Sequence, residues 1–254
     1  MATNLIWSAA ARRRLSLGHS KQMENKAAWS RRTPKMARPF TAEIIGPAGS
    51  GKSTLTGLLR RRDATIKTGL SIWGLPLPLL AASTFSSMTD LLGLFGRGGF
   101  TLEDIKLVIQ INGLRRLLRR ESTKGYRALL LDEGSVFGLA KLRAFGGDGE
   151  APDSIGWMTG LFNRVGPTLD AVIWLDAPDA VLARRIRERD KPHRTKHLSE
   201  VEIFEHLRRY REAFERVMLE LTQRNAVKVI RFRTDREPLE DIANRILAGA
   251  YGQV

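Results

Sequence analysis

Cysteine is missing altogether from the 254 residues. This excludes disulfides, zinc–thiolate sites, iron–sulfur clusters and cysteine nucleophiles together. The absence suits a reducing compartment, and a cytoplasmic location is the expectation. Acidic residues are scarce: 27 Asp and Glu stand against 42 Lys and Arg, a formal charge of +15. Such an excess points to an anionic partner. A secretory signal is lacking, because the short apolar stretch Leu5-Ile6-Trp7 precedes the arginines at 12–14 and no apolar run follows them. Residues 68–89 form a run of 22 without a charge, long enough to raise a transmembrane question. Gly74, Pro76 and Pro78 interrupt it, and Ser83, Thr84, Ser86 and Ser87 dilute its second half. Hydrocarbon offers no partners for the backbone groups that two prolines free. The run therefore reads as buried helical or loop structure, and no transmembrane segment is expected. Neither a repeat of fixed period nor an Asn-Lys-x-Asp guanine-reading segment occurs, and the second absence argues against a GTPase.

With 43 % hydrophobic and 27 % charged residues, the chain is close to the globular average and lacks the signature of wholesale disorder. Its length allows one large domain or two small ones. The charge is unevenly placed. Residues 1–39 hold nine basic side chains and a single acid, Glu24, a net +8 that leaves +7 for the remaining 215. They show no sustained apolar period and read as an extension outside the fold. A solvated tail, an Arg-rich organelle transit peptide and an upstream start before Met36 all fit that composition. The folded domain is expected over residues 40–254. Its moderate positive charge suits phosphate handling, and no stable nucleic-acid partner is expected. A homodimer remains open.

Phe40-Thr41-Ala42-Glu43-Ile44-Ile45 reads as a short strand, and Gly46-Pro47-Ala48-Gly49-Ser50-Gly51-Lys52-Ser53 follows directly. This is a full GxxxxGKS/T match set between a strand and a helix, the context that confirms it. Glycines let the backbone wrap a phosphate with its amides inward, and the next helix turns its positive end to the anion. Residues 46–53 with Thr54 are thus candidate ATP contacts. Lys52 suits the β- and γ-phosphates, and the Ser53 hydroxyl suits Mg²⁺.

A second buried run, Tyr126-Arg127-Ala128-Leu129-Leu130-Leu131, ends in Asp132-Glu133, where an α/β sheet binds its ligand. Asp132 can accept a proton from an attacking hydroxyl or hold Mg²⁺ through water, and Glu133 can share the metal field. A third strand, Ala171-Val172-Ile173-Trp174-Leu175-Asp176, leads through Pro178 into a helix to about Arg189. Seven basic side chains lie between Arg184 and Lys196. Residues 184–198 read as a cationic lid that closes over a triphosphate. Arg184 and Arg187, one turn apart, are its candidate phosphate contacts.

Further elements are a short strand at 64–67, a helix from Thr101, a capping-box helix from Ser199, a strand at 227–232 and a last amphipathic helix. Arg115, Arg116, Arg119 and Arg120 are expected on an exposed helix face. Trp73, Phe85 and Trp157 are candidates to line an acceptor pocket, with core packing the alternative. Strand and helix alternate, which argues a three-layer α/β fold with a parallel sheet covered on both faces.

On residues 46–53, Asp132, the Ile173-to-Pro178 strand end and the segment 184–196, the chain from about Phe40 to Tyr251 resembles a P-loop kinase of the thymidylate kinase and deoxynucleoside kinase group. The resemblance implies a five-stranded parallel sheet of P-loop NTPase type. It also implies transfer of the ATP γ-phosphate, with Mg²⁺, to a small acceptor such as a nucleoside monophosphate. By that likeness Asp132 takes the carboxylate place beside the acceptor, and Arg184 and Arg187 take lid places. One departure stands: where such kinases usually carry an arginine after the acid, this chain has Glu133. An ATPase switch, with Glu133 orienting water, is the competing expectation.

Overall fold

The computed structural model of the chain describes residues 38–95, 101–145, 155–189 and 196–251. The expected N-terminal extension therefore lies outside the described residues up to position 37. So do positions 190–195 of the expected lid.

Five strands form one parallel sheet. In chain order they are β1 (Phe40–Ile45), β2 (Ile66–Leu70), β3 (Ala128–Asp132), β4 (Ala171–Asp176) and β5 (Lys228–Arg233). Their spatial order is β2-β3-β1-β4-β5, with β1 central. It pairs with β3 from Phe40 opposite Ala128 to Ile44 opposite Asp132, and with β4 from Ala42 opposite Ala171 to Ile45 opposite Trp174. Because side chains alternate along a strand, the sheet sorts its residues into two cores. Ile45, Leu129, Leu131, Val172 and Trp174 meet one helical layer, while Ala42, Ile44, Leu130, Ile173 and Leu175 meet the other.

The first layer contains α4 (Leu102–Glu121), α5 (Ser135–Phe145), α6 (Ile155–Val165) and α8 (Glu200–Asn225). Val108, Ile111 and Leu114 of α4 lie in it, as do Phe214, Val217 and Leu221 of α8. On the opposite face α1 (Lys52–Arg62) supplies Leu55 and Leu59, and α9 (Leu239–Tyr251) supplies Ile242 and Ile246. Each such fully buried Leu or Ile stabilises the fold by roughly 1.5–3 kcal/mol. A smaller cluster joins α7 (Asp179–Glu188), through Leu182, Ala183 and Ile186, to Ile203 and Leu207 of α8. Helices on both faces of a parallel sheet, with the glycine loop between β1 and α1, make this the three-layer P-loop NTPase fold.

The segment after β2 departs from expectation. Its strand is Ile66–Leu70, two residues later than the sequence pattern predicts, and α2 (Leu77–Ser86) and α3 (Met88–Phe95) follow. Two serines are buried there beside Ile72, Leu75 and Leu91 while some large apolar groups are not: Ser83 and Ser87 are inaccessible, and Leu77 and Phe85 are 80 % and 83 % exposed. Ser83 donates to the Leu79 carbonyl at 2.6 Å and Ser87 to the Ser83 carbonyl at 2.7 Å. With its hydroxyl satisfied inside the helix, a small serine lets α2 sit tight on α4 near Gly113. Phe85 is accordingly neither core nor pocket lining. Arg116, Arg119 and Arg120 are exposed as expected. Arg115 is half-buried and donates to Asn112 Oδ1 at 3.3 Å.

Among the described residues no helix is long and apolar enough to cross a membrane.

Candidate active site

The loop of residues 46–53 leaves the carboxyl end of the central strand and enters α1. Gly46 has φ 152°, and a Cβ there would lie 2.1 Å from the Leu175 carbonyl oxygen, so the turn passes β4 only because the residue has no side chain. Lys52 folds back over this turn and donates to the Gly46 carbonyl at 2.6 Å and the Pro47 carbonyl at 3.1 Å. Burial of its ammonium lowers the pKa to about 8, against the opposing pull of Asp132 and Glu133. Ser53 and Thr54 are exposed at the start of the helix.

Asp132 ends β3 beside β1, and the register sets it opposite Ile44. Burial raises its pKa, Lys52 opposes that rise, and Glu133 adds to it. Glu133 is a left-handed residue, φ 55°. Both of its ends are tied to the chain after β2: its carbonyl accepts from Ile72 N at 3.1 Å, and its Oε2 accepts from Trp73 Nε1 at 2.7 Å. Trp73 stands over the mouth of this region, with Lys106 and Lys141 at 5.9 and 5.3 Å from its ring. It meets Phe137 edge-on at 6.3 Å, and Phe137 continues to Phe214 and to Tyr210, which stacks on Phe214 at 4.3 Å. Trp73, a candidate for an acceptor pocket or for the core, is thus bonded to the Glu133 carboxylate, whereas the side chain of Trp157 lies outside the described residues.

Tyr210 had no signal of its own in the sequence beyond a place on the amphipathic face of α8. Burial first, then the charges of Glu133 and Glu43, raises its pKa, and the backbone of Gly46 opposes that rise. Glu43 is also new. Its carboxylate is wholly buried within β1 and accepts backbone N–H bonds from Gly134, Val136 and Phe137 at 2.8–2.9 Å. Burial pushes its pKa up to about 7 against the pull of those three amides. An isolated acid inside an apolar strand was the available clue, since a buried charge needs partners.

The lid arginines divide differently from the sequence expectation. Arg184 is 69 % exposed with Glu188 at 3.9 Å, and Arg187 is exposed with Glu200 at 3.9 Å. Between them Arg185 reaches inward. It donates to the Gly49 carbonyl at 3.3 Å and to Thr234, at Oγ1 and at the carbonyl, at 2.9 Å each. One turn further on, Arg189 is close enough to depress the Lys52 pKa. Spacing held the clue: Leu182, Arg185, Ile186 and Arg189 share the face that α7 turns to the core. Arg211 of α8 completes the frame, donating to Asp176 at 3.0 and 3.1 Å, to Asp179 at 2.5 Å and to the Ala177 carbonyl at 3.0 Å. That fixes the start of α7 against β4.

Two oxygen donors of the kind Mg²⁺ prefers are near in the fold or the chain: the Ser53 hydroxyl, on the residue after Lys52, and the Asp132 carboxylate, whose charge acts on the Lys52 ammonium. Among the described residues no three His, Asp or Glu side chains converge into a metal cage. The donor set therefore fits an ion shared with nucleotide phosphates rather than one enclosed by protein.

No protein-family model matches the chain, and no curated protein matches it. Among solved structures it is similar to the YorR protein of Bacillus subtilis, determined in complex with phosphorylated GDP. That similarity is 14 % identity over 83 % of this chain and 95 % of that one, with a TM-score of 0.47. It is also similar to TT1252 from Thermus thermophilus, at 20 % identity over 84 % of this chain and 98 % of that one, with a TM-score of 0.42.

Proposed function

We propose that the chain is an ATP-dependent phosphotransferase that moves the γ-phosphate to a small acceptor, a nucleoside monophosphate or related metabolite. The observation that carries this reading is the meeting, at adjacent strand ends, of a buried Lys52 ammonium held only by loop carbonyls with the Asp132 carboxylate. On binding, nucleotide phosphates replace those carbonyls as partners of Lys52, with the amides of residues 46–53 around them. Ser53 and Asp132, with Glu133 beside them, would hold Mg²⁺, which supplies neutralisation of charge on the phosphoryl oxygens. Asp132 accepts the proton of the acceptor hydroxyl or phosphate as its oxygen bonds to the γ-phosphorus. The bond from that phosphorus to the β-phosphate oxygen breaks, and ADP leaves. Trp73 and Phe137 offer an aromatic wall to a ringed acceptor, while residues 184–198 serve as the lid.

Incubation with Mg·ATP and a panel of acceptors tests this. ADP is expected only when an acceptor is present, and turnover at the full rate without one would mark the chain as an ATPase.

A further inference from the structure

Glu43 does something that helix capping alone does not require. The first turn of a helix leaves four amides without helical partners, and a Ser, Thr, Asp or Asn at its start normally serves one of them. At the start of α5, Ser135 is fully buried and its hydroxyl has no partner. The amides are met instead by a carboxylate from β1, more than 90 residues earlier in the chain: Oε1 accepts from Gly134 and Phe137, both at 2.9 Å, and Oε2 accepts from Val136 at 2.8 Å. These amides follow directly on Asp132 and Glu133, and the strand that carries Glu43 runs straight into the loop of residues 46–53. The approach is close, since a Cβ on Gly134 would lie 2.6 Å from Glu43 Oε2.

We infer that Glu43 is a positioning residue for phosphoryl transfer: through three amides it locks the turn that carries Asp132 to the strand that feeds the nucleotide loop, so that the two halves of the site keep one spacing. The inference rests on the phosphotransferase reading above. Its chemical signature is that both carboxylate oxygens face N–H donors. An amide at this position turns an NH₂ group against one of them, whereas aspartate keeps two acceptors on a shorter stem.

The test measures kcat, acceptor KM and nucleotide Kd for wild type, Glu43→Gln and Glu43→Asp. Because small misplacements of reacting groups cost up to ~10²-fold, Glu43→Gln is expected to lower kcat by about 10- to 100-fold. Its nucleotide Kd should stay within about twofold and its melting should stay cooperative. Glu43→Asp should recover part of the loss. A Gln variant with wild-type kcat overturns the inference, and so does one whose nucleotide affinity falls in step with kcat. If the Gln variant fails to fold, the Asp variant alone decides on the same two readouts. Should the wild-type chain transfer phosphate to no acceptor, only the phosphotransferase reading fails. The lock is then judged by amide hydrogen exchange at Gly134, Val136 and Phe137: slow exchange lost in the Gln variant supports it, and equal protection in both chains refutes it.

Discussion

Lys52 keeps a positive charge where the fold offers it two carbonyl oxygens and, further off, two carboxylates. Its side chain contributes little to the cores, so Lys52→Ala should fold normally. Losing a positioned cation at the transferring phosphate should cost about 10²–10³ in kcat, read by steady-state assay beside an unchanged melting curve. Asp132→Asn removes the proton acceptor with almost no change of shape, and the same assay should show a comparable loss. Glu43 adds a pH dependence to stability. Burial raises its pKa from an ordinary 4.5 to about 7 in the fold, so the folded state favours the protonated acid. That contribution is fully present below about pH 4.5 and is lost as pH rises through 7. A shift of this size corresponds to about 3 kcal/mol. In denaturant titrations at pH 4.5 and pH 8, wild type should therefore lose about 3 kcal/mol relative to Glu43→Gln, which cannot titrate. A gap that stays constant across this range contradicts the burial argument.

Helix α7 illustrates how far an element can be read in advance. Its extent follows from Pro178 and the apolar Leu182, Ala183 and Ile186, and the structure agrees. Which arginines it turns inward depended on the face those three residues occupy, and a spacing of three from Arg184 selected the wrong side. Arg185 makes two bonds to Thr234 and one to Gly49, so it pins the nucleotide loop to the chain after β5. Removing such bonds from a charged donor costs about 1.5 kcal/mol or more each when they are well made. Arg185→Ala should therefore weaken Mg·ATP binding roughly tenfold by calorimetry. The exposed Arg184–Glu188 pair is worth less than about 1 kcal/mol, so Arg184→Ala should shift affinity by under about twofold. The opposite ranking would mean that the outer face of α7, not the inner one, meets the phosphates. Helix α2 was harder to read for a related reason. Its apolar composition predicts burial, but Ser83 and Gly113 set the close packing by their smallness, Leu79 and Leu80 pack against the core, and Leu77 and Phe85 are left exposed.

Across the molecule, the parts visible in the sequence are those with local signatures: the glycine loop at the end of β1, two apolar strands ending in acids, and the capping box at Ser199. The sheet order β2-β3-β1-β4-β5 brings two of these strand ends together, so Lys52 and Asp132 meet though 80 positions apart. The amides that Glu43 accepts from, the bond between Trp73 and Glu133, and the places of Tyr210 and Arg211 carry no local pattern. Each acquires its meaning from a partner far away in the chain. Chain compactness divides in the same place as charge: residues 39–254 form one compact unit, and the elements described here fall inside it. Among the described residues, the Pro39 carbonyl joins β1 by accepting from Thr41 Oγ1 at 3.2 Å. A fragment beginning at Met36 keeps that carbonyl and loses eight of the nine basic side chains of residues 1–39 together with Glu24, so its net charge falls by seven relative to the full chain. Such a fragment is expected to melt within about 2 °C of the full chain, a shift well under 1 kcal/mol for a domain of this size, with the same kcat and acceptor KM. A fall in melting temperature of more than about 5 °C, or a matching fall in kcat, would show that the basic segment belongs to the folded enzyme after all.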